Sequence, residues 1–150
     1  MGELKKLGLT LEKSIETALR NTGDYIVADM RHRLLAGHHY DTGKLYNSVR
    51  SETEVTKDAV TTYIYADAQS EDGAYYAEFI EYGTGAAHGR EGGRVGKWSY
   101  KDSHGQWHTT DGMDADPFIR PSLQDAMKYL DSVIPEVIDD TIKYGRGKAQ

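Results

Sequence analysis

Apolar positions in the first part of the chain recur at the spacing of an α-helix. Aliphatic side chains follow one another at intervals of four or seven residues, which keeps them on one face of a helix. They are Leu7, Leu11, Ile15, Leu19, Ile26, Met30 and Leu34. The segment 21–24 either ends one helix at Gly23 and begins a second at Asp24, or only weakens a continuous helix. Gly37 is the expected end of the helical segment.

A strand pattern follows. Polar and charged residues alternate with Val49, Ser51, Thr53 and Val55, and residues 59–66 are rich in β-branched and aromatic side chains. This composition predicts an antiparallel hairpin with its turn at residues 57–58. The next segment, "YYAEFIEY", fits either a strand or a helix, and we predict a short helix that ends before Gly83. In this helix Glu78 and Glu81 should form a solvent-exposed edge, while Phe79 and Tyr82 anchor the end of the helix in the core.

Residues 83–115 differ from the rest of the chain. They contain eight glycines and few aliphatic side chains, so this segment buries too little apolar surface to offset the entropy of ordering it. We expect a flexible loop here, with one hairpin in "KWSYKDSHGQWHTT", where Ser103, His104 and Gly105 lie near the turn.

The last predicted element is a helix. Pro121 suits a first-turn position, where its missing N–H is not needed. The apolar stripe predicted to face the core consists of Leu123, Met127, Leu130, Ile134, Val137, Ile138 and Ile142. Pro135 should kink the helix or divide it near Ser132. Residues 145–150 should form a disordered tail.

These elements predict an α+β fold in which an antiparallel sheet packs against N-terminal and C-terminal helices, with a long glycine-rich loop and hairpin as an insertion. The 150 residues suit a single domain, which we place at residues 1–144 with the flexible insertion at 83–115.

Charge is unevenly distributed along the chain. The net charge is -6, and residues 51–82 carry eight Asp and Glu against one Lys. An acidic block of this kind argues against sequence-specific nucleic-acid binding, which needs a basic surface. The chain has no cysteine, so disulfides and thiolate metal sites are excluded. Apolar runs stay well short of the roughly 20 residues of a membrane span, and we expect no association with a membrane.

Two short patterns suggest hydrolase chemistry. Asp41-Thr42-Gly43 is the tripeptide of aspartic proteases, in which two carboxylates share a proton, and a homodimer could supply the second. However, the polar residues before Asp41 and Lys44 after the tripeptide favour a turn over a buried strand end. His104 and His108 have the spacing of a zinc-protease helix, although Gly105 occupies the position of that motif's glutamate. A dimeric protease or a metal-dependent hydrolase is therefore the alternative function.

Three motifs occur in a characteristic order: "DTGKLYNSV" after a helix, "YAEFIEYGTG" after a hairpin and "DPFIRPSL" at the start of the last helix. In this order they resemble the gene-product-ten-like tail-component family of long-tailed bacteriophages, whose members are neck, tail-completion or head-tail joining proteins. The resemblance identifies as motif residues Thr42, Gly43, Leu45, Phe79, Glu81, Tyr82, Gly83, Thr84, Pro117, Phe118 and Pro121.

The resemblance implies a structural virion protein without enzymatic activity or cofactor. It implies a homo-oligomeric ring, commonly a hexamer, at the junction of head and tail. The partners would be other copies of the chain, neck or head-completion proteins, and tail-tube or tail-terminator proteins. The protein would be located in the virion, and in the host cytoplasm during assembly.

Two further groups of residues are candidates within such a ring. The acidic side chains Glu52, Glu54 and Asp58 would suit a lumen through which DNA passes, because like charge repels phosphate. The candidate partner-binding loop contains Arg90, Arg94, Lys97, Trp98 and Trp107.

Overall fold

The computed structural model describes residues 2–70, 73–102 and 104–147. Within this part of the chain the helices and strands follow in the order α1 (Gly2–Ala36), α2 (Lys44–Ser48), β1 (Val49–Val55), β2 (Val60–Ala66), α3 (Tyr76–Tyr82), a 3-10 turn (Ala86–His88), β3 (Trp98–Lys101), β4 (Trp107–Thr110) and α4 (Ile119–Gly147). The predicted fold class is confirmed. The protein is α+β, with a long N-terminal helix, two antiparallel hairpins and a C-terminal helix.

Helix α1 is continuous through the segment at which the sequence allowed a break. Gly23 lies inside it and is buried. A Cβ added there would lie 2.9 Å from Thr62 Cγ2 and 3.1 Å from Ser51 Cβ, so the glycine permits close approach of the hairpin β1–β2 to the helix. Thr62 also contacts the helix directly, because its hydroxyl lies 3.4 Å from the carbonyl oxygen of Leu19.

The C-terminal end of α1 has the geometry of a Schellman motif. The backbone N–H of His38 donates to Leu35 O (3.1 Å), and that of His39 donates to Leu34 O (2.9 Å). The helix ends just before Gly37, as predicted, but the left-handed residue is His38, with φ 59°. Gly37 serves close packing instead, since a Cβ there would meet side-chain atoms of His39.

Both hairpins lie where the sequence predicts them. The hydroxyls of Thr53 and Thr62 are 2.9 Å apart across β1 and β2, and Thr56 N–H closes the turn on Ala59 O at 2.8 Å. In the second hairpin, Cα partners run from Trp98↔Thr110 to Lys101↔Trp107.

Helix α4 begins at Ile119, so that Pro121 falls in its first turn as predicted. Pro135 lies inside the helix, and the helix continues on both sides of it. The predicted division near Ser132 is therefore wrong. The helical backbone extends to Gly147, and the last three residues of the predicted tail lie outside the described part of the chain.

The apolar stripe predicted for α4 is covered only in part. Met127 is 65% exposed, and Leu123, Ile138 and Ile142 are also exposed. The most deeply buried positions of this helix are small or polar instead: Ser122, Ala126 and Thr141. The expectation that the whole stripe faces a core is wrong.

The chain divides into two compact units. Unit 1 consists of Met1–Ala28, Arg50–Ile64 and Leu123–Gln150, and unit 2 of Asp29–Val49 and Tyr65–Ser122. Among the described residues, the buried apolar side chains of unit 1 are Ala18, Ile26 and Ala126. Those of unit 2 are Met30, Leu34, Leu45, Val49, Ala77 and Phe118. A single folding domain over residues 1–144 stays a prediction. Among the described residues, every helix is too short or too polar to cross a membrane.

Candidate functional site

The second and third motifs meet in unit 2, where α3 contacts the start of α4. Glu81, near the end of α3, is only 2% exposed. Its Oε2 accepts hydrogen bonds from the backbone N–H groups of Phe118 (2.9 Å) and Ile119 (2.8 Å). Its Oε1 accepts from the backbone N–H of Arg120 (3.2 Å) and from Arg120 Nε (2.7 Å). Since the first N–H groups of a helix lack partners within it and carry partial positive charge, Glu81 caps α4 from another helix.

This position of Glu81 corrects the expectation of a solvent-exposed edge, which holds only for Glu78. The expectation that Tyr82 anchors the core is also wrong, because its side chain is 51% exposed. The Tyr82 ring instead lies beneath two guanidinium groups, those of Arg90 (5.6 Å to the ring centroid) and Arg120 (5.2 Å). The aromatic ring thereby holds in place the arginine that pairs with Glu81.

Directly after α3, the chain pairs in antiparallel orientation with the segment that leads into α4. Thr84 N–H donates to Met113 O (2.9 Å), and Met113 N–H donates to Thr84 O (3.1 Å). Gly83 has φ 70°, and a Cβ there would lie 2.6 Å from Met113 O and 2.8 Å from Ala115 N. Only glycine fits this conformation and this approach. We call the paired residues Thr84 and Met113 the neck, and residues 86–110, which extend beyond it, the lobe.

Phe118, in unit 2, is almost completely buried, with an exposed fraction of 1%. One turn later, the Ser122 hydroxyl lies 2.6 Å from Asp29 Oδ2, which also accepts a 2.7 Å hydrogen bond from Arg33 Nε. Burial by itself would raise the pKa of Asp29, but the hydrogen bonds from Ser122 and Arg33 outweigh it and lower that pKa. The start of α4 is thus joined to α1 within this unit.

The first motif forms a turn, as predicted. Gly43 has φ 74° and precedes α2, and a Cβ there would lie 2.9 Å from Tyr40 Oη. Thr42 Oγ1 lies 3.4 Å from the backbone N–H of Lys44, and Leu45 is buried. The turn leads into the one-turn helix α2 rather than directly into a strand, because Asn47 N–H bonds back to Gly43 O at 2.9 Å.

The hydrolase candidates are partly brought together. Asp41 Oδ1 lies 3.5 Å from His104 Nε2, and both side chains are exposed. His108 belongs to a different pair, with its Nε2 2.7 Å from Asp102 Oδ2. The backbone N–H of Gln106 and the His108 ring lower the pKa of Asp102. Within residues 2–70, 73–102 and 104–147, the structure contains no group of three or more His, Asp or Glu side chains arranged to hold a metal ion.

In the candidate partner-binding loop, some side chains bond to other residues of this chain and others are exposed to solvent. Arg90 donates to the carbonyl oxygens of Glu78 and Gly83, each at 3.1 Å. In contrast, Trp107 is 72% exposed and Lys97 is exposed as well. Between these extremes, the Arg94 guanidinium stacks on Trp98, 5.4 Å from the ring centroid.

A histidine pairing at the neck was not predicted from the sequence. His88 Nδ1 lies 2.8 Å from Asp114 Oδ1, and His88 Nε2 lies 3.4 Å from Asp111 Oδ1. The hydrogen bond to Asp114, followed by that to Asp111, raises the pKa of His88. Nearby in the sequence, Asp116 Oδ2 lies 2.9 Å from His39 Nε2. These partners are 23 to 77 residues apart in the chain, so no local pattern could indicate them.

The candidate lumen residues lie on exposed positions of the hairpin β1–β2. Glu52 lies 3.4 Å from Arg50 Nε, and Glu54 accepts a 3.4 Å hydrogen bond from Tyr63 Oη. Asp58 is exposed in the turn. Their exposure agrees with a solvated sheet face and does not distinguish a lumen from an outer surface.

Comparison of the chain with protein-family models, with curated proteins and with solved structures found no match. The resemblance to the phage tail-component family therefore rests on the three motifs alone.

Proposed function

We propose that this chain is a structural virion protein of a tailed bacteriophage or prophage, which assembles as a homo-oligomeric ring at the head-tail junction and there completes the tail or joins it to the head. The observation that carries the proposal is that residues from all three resembling motifs are buried in one unit. Leu45 from the first motif, Glu81 from the second and Phe118 from the third are all buried in unit 2. The second and third motifs also bond to each other through Glu81, as a shared architecture would require.

Exposed apolar side chains give independent support for assembly. In unit 1, Leu9 is 58% exposed and Met127 is 65% exposed, and Ile138 and Ile142 continue the exposed stripe along α4. A row of this kind on one helix commonly marks an interaction surface. Neighbouring copies, neck or head-completion proteins, and tail-tube or tail-terminator proteins are the partners that the proposal names.

The first experiment removes the chain from particle assembly. Free tails together with DNA-filled heads would indicate head-tail joining, whereas the absence of finished tails would indicate tail completion. Normal infectious particles made without the chain would contradict both roles.

The second experiment measures mass by light scattering, alone and with neck or tail proteins present. A mass above the 16.8 kDa of the monomer is expected under at least one of these conditions. The double variant Met127→Ser, Ile138→Ser should weaken association at least tenfold. Leu35→Ser, at an exposed apolar position of α1, serves as the matched control and should associate normally. A monomer under every condition would argue against the ring.

The lumen position of the acidic residues can be tested in assembled particles. Replacing Glu52, Glu54 and Asp58 with lysine would create contacts with DNA phosphates, which salt screens. A lumen position predicts slower DNA release at low salt and near-normal release at high salt. An unchanged release rate at both salt concentrations would place these residues on an outer surface.

The hydrolase alternative has one observation in its favour, the 3.5 Å approach of Asp41 to His104. If Asp41 were catalytic, Asp41→Asn would abolish peptide hydrolysis without affecting assembly. For the structural role we expect no hydrolysis from the wild-type chain that depends on Asp41, and assembly of Asp41→Asn equal to that of the wild type.

A further inference from the structure

His88 is in contact with two carboxylates at once, one at each ring nitrogen. Asp114 Oδ1 is 2.8 Å from Nδ1 and Asp111 Oδ1 is 3.4 Å from Nε2. An ionised carboxylate only accepts hydrogen bonds, and a neutral imidazole has only one N–H to donate. Both contacts can therefore be hydrogen bonds only when His88 carries two protons and a positive charge. The two contacts together therefore favour the doubly protonated, positively charged ring.

His88 lies beside the neck, so its contacts with the two aspartates affect how the neck is held together. His88 belongs to the 3-10 turn just after Thr84, while Asp111 and Asp114 stand on either side of Met113. The three side chains thus bridge the two chain segments that the backbone pairing of Thr84 with Met113 joins at the neck. Beyond the neck lies the lobe, which contains all five candidate partner-binding residues, among them the exposed Trp107.

We infer that His88, Asp111 and Asp114 form a pH-dependent latch, which holds the lobe closed at its neck while His88 is protonated and loosens it when the proton is lost. The charged side chains that face the ring are the two aspartates, and Lys97 acts on Asp111 from the loop before β3. Loss of the proton removes one N–H donor and leaves a lone pair opposite a carboxylate, so the neck loses one attraction and gains one repulsion.

The direction of the pH dependence follows from the shifted groups. Because the pKa of His88 is raised in the folded chain, the contribution of the latch is fully present below the ordinary histidine pKa of about 6.5. It is lost as the pH rises through the higher folded value. The hydrogen bond from His88 also lowers the pKa of Asp111, so the contact at Nε2 persists to a lower pH than it would with an unpaired aspartate. At the upper end, the latch opens when His88 loses its proton.

Backbone amide exchange in the isolated full-length chain tests the latch. The reporters are the amides of Thr84 and Met113, which form the two hydrogen bonds of the neck. After correction for the intrinsic exchange rate, their protection should fall by at least about threefold between pH 6 and pH 8. In His88→Gln, which cannot carry the charge, protection should be lower at pH 6 and independent of pH over this range. Protection that is independent of pH in the wild type, or unchanged pH dependence in His88→Gln, would overturn the inference.

His108→Gln is the matched control. His108 makes an equally close contact with an aspartate, 2.7 Å to Asp102, but it does so in the hairpin and not at the neck. This variant should keep the pH dependence of the Thr84 and Met113 amides. If His108→Gln abolished that dependence, the latch would not lie at His88.

If His88→Gln fails to fold, an NMR titration of His88 in the wild-type chain tests the latch directly. The midpoint should lie above the ordinary histidine pKa of about 6.5, because the pKa of His88 is raised, and Asp114→Asn should lower it. An unchanged midpoint in Asp114→Asn would overturn the inference. These measurements need no assembly partner, so their outcome is independent of the ring proposal. Only the further step, that loosening of the neck changes how the exposed Trp107 meets a partner, rests on the proposed function.

Discussion

The two compact units differ in the apolar side chains that they bury. Unit 2 encloses large side chains such as Phe118, Met30 and Leu34, contributed by several elements. In the described part of unit 1, two of the three buried apolar residues are alanines, while Leu9 and Met127 are exposed. The cause is the number of covering elements. Unit 2 is closed by α2, α3 and the start of α4, whereas in unit 1 two helices share a single hairpin.

From this contrast we expect the apolar core of unit 2 to be fully formed in the isolated chain. In unit 1 we expect part of the apolar surface to stay exposed until a partner covers it. The hairpin that covers α1 faces it with small polar residues such as Ser51 and Thr62, which permit close approach but bury little apolar area. Single substitutions should therefore have unequal effects in the two units.

The largest difference is expected between Phe118→Ala and Met127→Ala. Phe118 is fully enclosed, and loss of its ring leaves a cavity, so the free energy of unfolding should fall by about 3–5 kcal/mol. Met127 is mostly in solvent, and its truncation in the isolated chain should change the free energy of unfolding by less than about 0.5 kcal/mol. Urea denaturation followed by circular dichroism measures both. Equal losses for the two variants would remove the contrast between the units.

Glu81→Gln should have the next largest effect. The substitution leaves one side-chain carbonyl oxygen where a buried carboxylate accepted from three backbone N–H groups and from Arg120, so we expect a loss of about 2 kcal/mol. Glu78→Gln is the control on the same helix. Glu78 is exposed and lies 3.7 Å from Arg90, a surface pair whose loss should cost less than about 0.5 kcal/mol. A comparable loss in both variants would contradict the capping role of Glu81.

Gly83→Ala tests the crossing at the neck. Its φ of 70° with ψ of -176° is a conformation that only glycine adopts readily, and the strain should cost about 1–3 kcal/mol, with displacement of Met113. Gly96→Ala is the control within unit 2. Its φ is also positive, at 79°, but a Cβ there has open space, and the expected loss is about 1 kcal/mol. Thermal melts and the exchange rate of the Met113 amide compare the two. A smaller loss at Gly83 than at Gly96 would show that the close approach at the neck is not required.

The smallest expected difference in stability is between substitutions at two glycines of α1 in unit 1. Gly8 has open space around it, so Gly8→Ala should stabilise the chain by up to about 1 kcal/mol through helix propensity. At Gly23 the same gain should be offset, because a Cβ would press on Thr62. Thermal melts of the two variants measured side by side should therefore rank Gly8→Ala above Gly23→Ala. The reverse order would argue against close packing of β1–β2 on α1.

The sequence predicted the elements that local patterns encode. Alternation and β-branched composition located the first hairpin, the turn residues near Gly105 located the second, and the polar flanks of Asp41-Thr42-Gly43 indicated the turn before α2. The apolar spacing located both long helices. Each of these signals lies within about ten residues, where propensity and spacing decide the outcome.

What the sequence did not predict depends on contacts between distant segments. Glu81 is an ordinary helix-surface glutamate by spacing, and only its position opposite the start of α4 makes it a buried cap. His88 contacts Asp111 and Asp114 because the neck brings their two chain segments together. The exposure of Met127 could not be predicted, because periodicity shows which residues share a helix face but not whether another element covers that face.

The pairing of Trp98 with Thr110 also makes the second hairpin removable. Partner residues on adjacent antiparallel strands stand about 5 Å apart, so the chain can return across this gap through a two-residue turn. Replacing residues 99–109 with Asn-Gly should therefore leave the melting of unit 2 nearly unchanged. In the other direction, doubling a loop costs only about 0.6 kcal/mol of closure entropy. The tip of the lobe is thus a site at which length can vary, or a foreign segment can be grafted, while Glu81 and Phe118 keep the junction beneath it intact.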